Sequence, residues 1–314
     1  MSASENKLKK ILFVFNPNSG KAEIQPQLFE LLDIFVKGGY LPTVYPTQRA
    51  GQATEIICEG AGRYDIVAAS GGDGTLNEAV SGLVKSGNPQ LFGYIPAGTV
   101  NDFATSLKIP KDMKKAAQAI VEGEPFRCDV GRFGGRFFTY IAAFGAFTNV
   151  AYETPQQYKN MLGRPAYLLE GLRQLPSIHP YRMTVSYDGG EVQGDFIFGM
   201  VGNSTSVGGF QKLAGQEVEL NDGLFELLLI RRPESITQMQ SVINALLRRE
   251  EDSKELIFRA KSSRFRIQSP DQAPWTLDGE FGGNPSEVEI SVLPQALSIL
   301  TPRESMADVP ITIL

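Results

Sequence analysis

The stretch Ser70-Gly71-Gly72-Asp73-Gly74-Thr75-Leu76-Asn77 decides how the first part of this chain is read. Just before it, Ile66–Ser70 is a short apolar run that reads as a buried strand, and after it Leu76, Ala79, Val80, Leu83 and Val84 recur at helical spacing. Asp73-Gly74 alone would suit a hairpin turn, but a hairpin needs a second strand, and the 3.6-residue spacing predicts a helix instead. In a strand, glycine loop and helix arrangement, the glycines let main chain approach a ligand. The helix N-terminus supplies N–H donors and partial positive charge, and Thr75 and Asn77 add side-chain hydrogen bonds. The combination predicts a phosphate cradle.

Outward from this loop, the first third alternates the two periodicities, as βαβ units with a parallel sheet do. Ile11–Phe15 reads as a strand, and Leu28, Leu31, Leu32, Phe35 and Val36 as one helix face that stops at Gly38-Gly39. Leu41–Tyr45 and Leu91–Ile95 read as strands, residues 52–60 and the stretch around Ala116–Val121 as helices. Two more strand ends carry similar loops: Asn16-Pro17-Asn18-Ser19-Gly20, and Pro96-Ala97-Gly98-Thr99-Val100-Asn101-Asp102. Loops at the carboxyl ends of an open parallel sheet face one crevice, so these are expected to converge on one ligand, a nucleotide. Other phosphate motifs fail. No GxxxxGKS or GxxxxGKT occurs, and Gly72-x-Gly74-x-x-Asn77 lacks the third glycine of a dinucleotide fingerprint. Asp102-Phe103-Ala104 stands without the lysine and catalytic-loop patterns of protein kinases.

Past about residue 125 the pattern changes to short Phe-, Tyr-, Val- and Ile-rich segments between Gly, Asp-Gly and Pro turns, as in an antiparallel β-sandwich or barrel. Arg127–Phe133, Phe137–Ala142, Met183–Tyr187, Asp195–Val201, Phe225–Ile230, Arg264–Ile267 and Val288–Val292 are the expected strands, with a hairpin turn at Asp188-Gly189-Gly190. Helices are expected near Tyr167–Leu175 and Ile236–Arg248. The 314 residues make two domains the working expectation, and 42% hydrophobic with 21% charged residues is ordinary globular composition. Lys+Arg 30 against Asp+Glu 35 leaves a net charge of −5, which argues against a nucleic-acid partner. Absence of a long apolar run and of a signal-like start predicts a soluble cytosolic protein. Cys58 and Cys128 lack metal-site spacing and read as buried thiols, and His179 is the sole histidine, so the chemistry must rest on carboxylates, hydroxyls and main-chain amides.

Taken together, NPNSG at 16–20, GGDGTLNEA at 71–79, PAGTVNDFA at 96–104, NDG at 221–223 and DGE at 278–280 resemble the bacterial soluble diacylglycerol kinase and related lipid-kinase family over nearly the whole chain. GGDGT is shared with NAD kinases and is similar to the GGDGS of 6-phosphofructokinases; the ordered set ending in DGE is more specific. The resemblance implies a Rossmann-like α/β nucleotide domain with a parallel sheet over residues 1–125. It implies an antiparallel β-sandwich lipid-substrate domain over 126–314, with the active site in the cleft between the domains. Whether Ser305–Leu314 fold back onto the first domain is left open.

Carried over by position, the resemblance implies an ATP pocket lined by Asn16, Pro17, Asn18, Ser19, Gly20, Thr47, Gly71, Gly72, Asp73, Gly74, Thr75, Leu76, Asn77 and Thr99. Asp73 lies there within reach of the phosphates, where a carboxylate can hold the nucleotide's Mg²⁺. Glu280 matches the general base that accepts the lipid hydroxyl's proton, with Asp278 and Asp73 as alternatives. By residues alone, Asp278-Gly279-Glu280 is an acidic turn ending a strand, and Glu219–Leu224 a surface turn. The resemblance implies a second, structural Mg²⁺ on the Asp222 carboxylate and the main-chain oxygens of Glu219 and Leu224, linked through water to Asp129.

The expected function is ATP-dependent phosphorylation of diacylglycerol to phosphatidic acid. Kinases for a sphingoid base or a polyprenol, an NAD kinase, and a non-catalytic nucleotide-responsive protein on the same fold remain alternatives. A lipid substrate calls for transient contact with the inner face of the membrane. Lys159, Arg164 and Arg173, beside Tyr167, Leu168, Leu169, Leu172 and Leu175, are the candidates for that contact, though such an apolar stripe also suits core packing. A homodimer is left open.

Overall fold

The computed structural model describes residues 8–20, 22–99, 101–145, 179–204, 206–207, 210–211, 218–248 and 255–303. The chain divides into two compact units, one drawn from Met1–Val130, Ser206–Phe210 and Leu293–Leu314, the other from Gly131–Thr205 and Gln211–Val292.

The first unit runs β1 (Lys9–Phe15), α1 (Ile24–Lys37), β2 (Tyr40–Pro46), α2 (Gln52–Gly60), β3 (Ile66–Gly71), α3 (Asp73–Ser86), β4 (Leu91–Pro96), α4 (Asp102–Ser106), α5 (Met113–Glu122) and the start of β5 (Glu124–Phe133). All six residues of β3 are buried, as a parallel strand covered on both faces requires. The strands β2, β1, β3 and β4 lie side by side in that order and all pair in parallel. From β1 the chain steps one way to β2 and the other way to β3, so the order reverses between β1 and β3, where ligands bind in open α/β sheets.

The α3 helix buries Leu76, Ala79, Val80 and Leu83. It lies close to α2: a Cβ on Gly82 would stand 2.8 Å from the Thr54 carbonyl oxygen. Gly51 gives α2 no side-chain cap, and Glu78 of α3 supplies one instead by accepting the amides of Gly51 (2.7 Å) and Ala53 (3.2 Å).

The second unit continues with β6 (Arg136–Phe138), β7 (Ile141–Gly145), β8 (Tyr181–Tyr187), β9 (Gly190–Gly202), β10 (Ser206–Val207, placed with the first unit), β11 (Phe210–Gln211), β12 (Phe225–Arg231), α6 (Ile236–Arg248), β13 (Ile257–Ser262), β14 (Arg264–Gln268), β15 (Trp275–Leu277), β16 (Glu280–Gly283) and β17 (Glu287–Thr301). Its larger strands pair antiparallel, with β9 bonded to β7, β8 and β12. The Asp188-Gly189 turn joins β8 to β9, with Tyr187 opposite Gly190. Trp275 is the largest fully buried side chain and packs its ring 5.2 Å from Phe133 and 4.9 Å from Phe144. The last strand reaches further than its apolar start indicates. Val288–Ile290, in the second unit, pair with β14, whereas Ser298 and Ile299, which belong to the first unit, pair in parallel with Leu91 and Phe92 of β4. The helix expected near Tyr167–Leu175 and the tail Ser305–Leu314 lie outside the described residues.

The run Phe137–Ala142 forms two short strands, not one, and the break has a physical cause. The Asp278 carboxylate, 2% exposed, accepts the Thr139 amide at 2.6 Å, the Thr139 hydroxyl at 2.8 Å, and the amides of Tyr140 and Ile141 at 3.0 and 3.1 Å. Chain that turns its amides toward one carboxylate cannot offer them to a neighbouring strand. Replacing Asp278 with alanine orphans these buried donors and is expected to cost on the order of 3 kcal/mol, read as a lowered denaturant midpoint. Cys58 is half-buried and Cys128 fully so, with burial and the neighbouring Asp129 pushing the Cys128 thiol far up. A thiol reagent is therefore expected to titrate only Cys58 in the native protein and both cysteines in denaturant.

Candidate active site

The three loops that follow β1, β3 and β4 meet. The Asn16 amide donates to the Ser70 carbonyl at 3.0 Å, and the Asn16 side chain accepts the Asn18 amide at 2.9 Å, which shapes the turn through Pro17. That turn delivers Ser19, whose hydroxyl accepts the Gly72 amide at 3.3 Å. Gly20, at φ +58°, lies against the Ala97 carbonyl so closely that a Cβ would collide with it. Thr47 hangs on the end of β1, its amide (2.8 Å) and hydroxyl (3.3 Å) both donating to the Phe15 carbonyl.

The second and third loops are stitched together by polar groups. The Asp73 carboxylate accepts the Asn101 amide at 3.2 Å, and Asn101, held at φ 54°, accepts the Gly98 amide through its side chain at 3.1 Å. Tyr94, buried in β4, donates its hydroxyl to the Gly71 carbonyl at 2.8 Å, and burial together with the Asp73 charge holds its pKa well above the usual phenol value. Sequence reasoning missed Tyr94, since a tyrosine in a strand carries no signal separating it from core.

Gly72 caps α3 in extended conformation, and the helix begins at Asp73, so the first-turn amides point to the loop side with no carbonyl one turn back. Leu76 is past this point: its amide bonds to the Gly72 carbonyl and its side chain is fully buried. Thr75 is also turned inward, packed against Gly71. The cradle is thus mainly backbone, with Asp73 and Asn77 half-buried and Asn18 and Thr99 exposed around it. Glycines held against one another beside a helix N-terminus fit phosphate groups.

In the second unit, Asp278 (φ 49°) and Gly279 (φ 87°) form the two-residue turn from β15 to β16, with Leu277 opposite Glu280. The four bonds to its carboxylate fix Asp278, and its own amide donates to the Ile141 carbonyl at 2.9 Å. The Glu280 side chain is exposed at the start of β16.

The loop before β12 supplies oxygen donors. Asp222 accepts the Leu224 amide at 2.9 Å, Gly223 follows at φ 76°, and the Leu220 carbonyl accepts Asn203 at 3.1 Å. One carboxylate with main-chain oxygens fits a hard divalent cation in chemistry, although the described residues contain no cluster of three or more metal-ligating side chains. Lys261 stands beside the loop, 3.8 Å from Asp222 and 3.0 Å from the buried Glu226. Burial pushes Glu226 up to about 7 against the pull of Lys261. Burial works to lower Lys261, but its hydrogen bond to Glu226 and the charges of Glu226, Asp222 and Glu219 outweigh it and raise the ammonium's pKa. Asp129, 1% exposed, accepts the Gln295 amide at 2.7 Å. Lys159, Arg164, Arg173 and the apolar residues among them lie outside the described residues, and no helix among those described is long and apolar enough to cross a membrane.

Known proteins share this plan. Residues 10–133 match the diacylglycerol kinase catalytic domain, and residues 143–301 match the YegS C-terminal NAD kinase β-sandwich-like domain. The diacylglycerol kinase of Bacillus subtilis (strain 168) is 37% identical over 278 residues, 88% of this chain and 91% of that protein. That of Staphylococcus carnosus (strain TM300) is 33% identical over 298 residues, 94% and 96% of the two chains. The crystal structure of a diacylglycerol kinase from Bacillus anthracis str. Sterne superposes with a TM-score of 0.74 at 22% identity, covering 96% of this chain and 99% of that one, and bears out the fold: an α/β nucleotide domain followed by an antiparallel β-sandwich. With both domain types matched in order and relatives aligned over most of their length, the chain belongs to the bacterial diacylglycerol kinase family and is a lipid kinase, for which ATP is the phosphate donor.

Proposed function

We propose that the protein phosphorylates the free hydroxyl of diacylglycerol with Mg²⁺ and ATP, giving phosphatidic acid and ADP, and that Glu280 is the general base. The observation that carries the nucleotide half is the meeting of the loops after β1, β3 and β4 at the reversal of strand order, with main-chain contacts too close for side chains. Asn16–Gly20, Thr47, Gly71–Gly74, Asn77 and Thr99 line the ATP pocket in this reading, with Thr75 and Leu76 packed beneath it. The first-turn amides of α3 orient the phosphates, and Asp73 would hold a Mg²⁺ ion, which when bound would supply positive charge to offset that of the phosphates. Glu219, Asp222 and Leu224 would hold a second, structural divalent ion.

The assignment of the base follows from what each carboxylate is already doing. Four donors occupy Asp278, and a carboxylate so engaged has little capacity for another proton, so its part is to hold the turn. Glu280 follows two residues later with an exposed carboxylate. It accepts the lipid hydroxyl's proton while that oxygen forms its bond to the γ-phosphorus and the bond to the ADP oxygen breaks. Asp73 remains a competing base only if its bond from the Asn101 amide opens.

The test uses labelled ATP and Mg²⁺ with diacylglycerol, sphingosine, a polyprenol and NAD as acceptors. Diacylglycerol is expected to be labelled far faster than the others. Preferred labelling of NAD or sphingosine reassigns the substrate, and labelling of none leaves a nucleotide-binding protein. Glu280→Gln is expected to lower turnover about 10²- to 10⁴-fold with ATP binding retained. Undiminished turnover moves the base to Asp73. Gly20→Ala, which strains a left-handed position and drives a methyl into Ala97, is expected to weaken ATP binding about tenfold or more by calorimetry, while Glu280→Gln leaves it unchanged.

A further inference from the structure

The Glu226–Lys261 pair lies outside every role assigned above. Glu226 of β12 and Lys261 of β13 are directly opposite in register, and the ammonium stands 3.0 Å from the Glu226 carboxylate. It also stands 3.8 Å from Asp222, whose other oxygen already accepts the Leu224 amide. The Glu226 side chain is only 5% exposed, that of Asp222 20% and that of Lys261 41%. A carboxylate as buried as Glu226 cannot stay charged without a cation beside it. Any divalent ion bound through Asp222 would share that carboxylate with the ammonium and be repelled by it.

We propose that Lys261 is a built-in cation for the acidic segment Glu219–Glu226: it holds the loop folded without metal, and a divalent ion binds there only in competition with it. The lysine and the ion are alternative partners for the Asp222 carboxylate, so loss of one makes the acidic segment depend on the other. The inference rests on the reading of Glu219, Asp222 and Leu224 as a divalent-ion site and not on the phosphoryl transfer; its test contains neither ATP nor lipid, so its failure leaves the kinase reaction untouched.

The experiment follows thermal unfolding in EDTA and in millimolar Mg²⁺ at matched ionic strength, with calorimetric titration of Mg²⁺. Wild type is expected to melt at nearly the same temperature in both. Lys261→Met is expected to melt several degrees lower in EDTA, to recover in Mg²⁺, and to bind the ion about tenfold or more tightly than wild type. Lys261→Arg, which keeps the charge, should stay indifferent to metal, and adding Asp222→Asn to Lys261→Met should abolish the recovery. Should Lys261→Met fail to fold in EDTA, refolding it with Mg²⁺ is the same test, and recovery is expected. An equal Mg²⁺ response in wild type and Lys261→Met, or no recovery of the variant by Mg²⁺ in either format, overturns the proposal. So does a wild type that loses as much in EDTA as the variant does, because the ion and not the lysine would then hold the loop.

Discussion

The nucleotide unit is built on a constraint of space: no side chain fits where its loops touch. A Cβ on Gly98 would stand 2.7 Å from both the Gly72 Cα and the Asn101 side chain, and one on Gly20 would run into the Ala97 carbonyl. Backbone can pack this closely only if its polar groups are met, which is what the Ser19, Tyr94, Asn101 and Asp73 bonds do. Phosphate recognition by main chain depends on amides fixed in direction before the ligand arrives, and the glycine contacts with these bonds fix them.

A related device shapes the second unit with a carboxylate in place of glycine. Asp278 gathers donors from Thr139, Tyr140 and Ile141, ending β6 and starting β7, and at the same time anchors the turn that carries Glu280. One buried acid thus sets both a strand break and the position of an exposed acid two residues on. The left-handed conformation at Asp278 is the local strain that the anchoring bonds offset, and Gly279 beside it takes its positive φ freely.

Most of the alternating first third was legible in the sequence, because a 3.6-residue period against short apolar runs distinguishes α2, α3 and α5 from β1, β3 and β4 without tertiary information. The glycine loops were legible for a similar reason: glycine clusters at strand ends have few structural uses. Two of the groups that tie these segments together, Tyr94 and Glu78, were not. Tyr94 has the pattern of any core strand residue, and Glu78 looks like a solvated helix position until α2 presents its uncapped end to it. The break at Thr139–Tyr140 was hidden because its cause lies 139 residues away in the chain. The path of β17 was hidden too, since a continuous β pattern does not reveal that its first part pairs with β14 and its later part with β4.

The surroundings of five acids in this chain differ, and they separate the acids where sequence motifs do not. Glu78 accepts the amides at the α2 N-terminus, Asp278 the donors of the Thr139 turn and Asp129 the Gln295 amide; each fixes local backbone geometry. Asp73 accepts the Asn101 amide at the head of α3, and in the proposed function it is the cation-holding acid of the phosphate site. Glu280 alone of the five is both exposed and set on a turn whose conformation is fixed by its neighbour. In the proposed function the base must be held near the substrate hydroxyl, and the Asp278 bonds fix the turn that carries Glu280. In the proposed reaction, Asp278 and Glu280 are told apart by burial with four bound donors on one side and an exposed carboxylate on the other, a difference that a DGE does not encode.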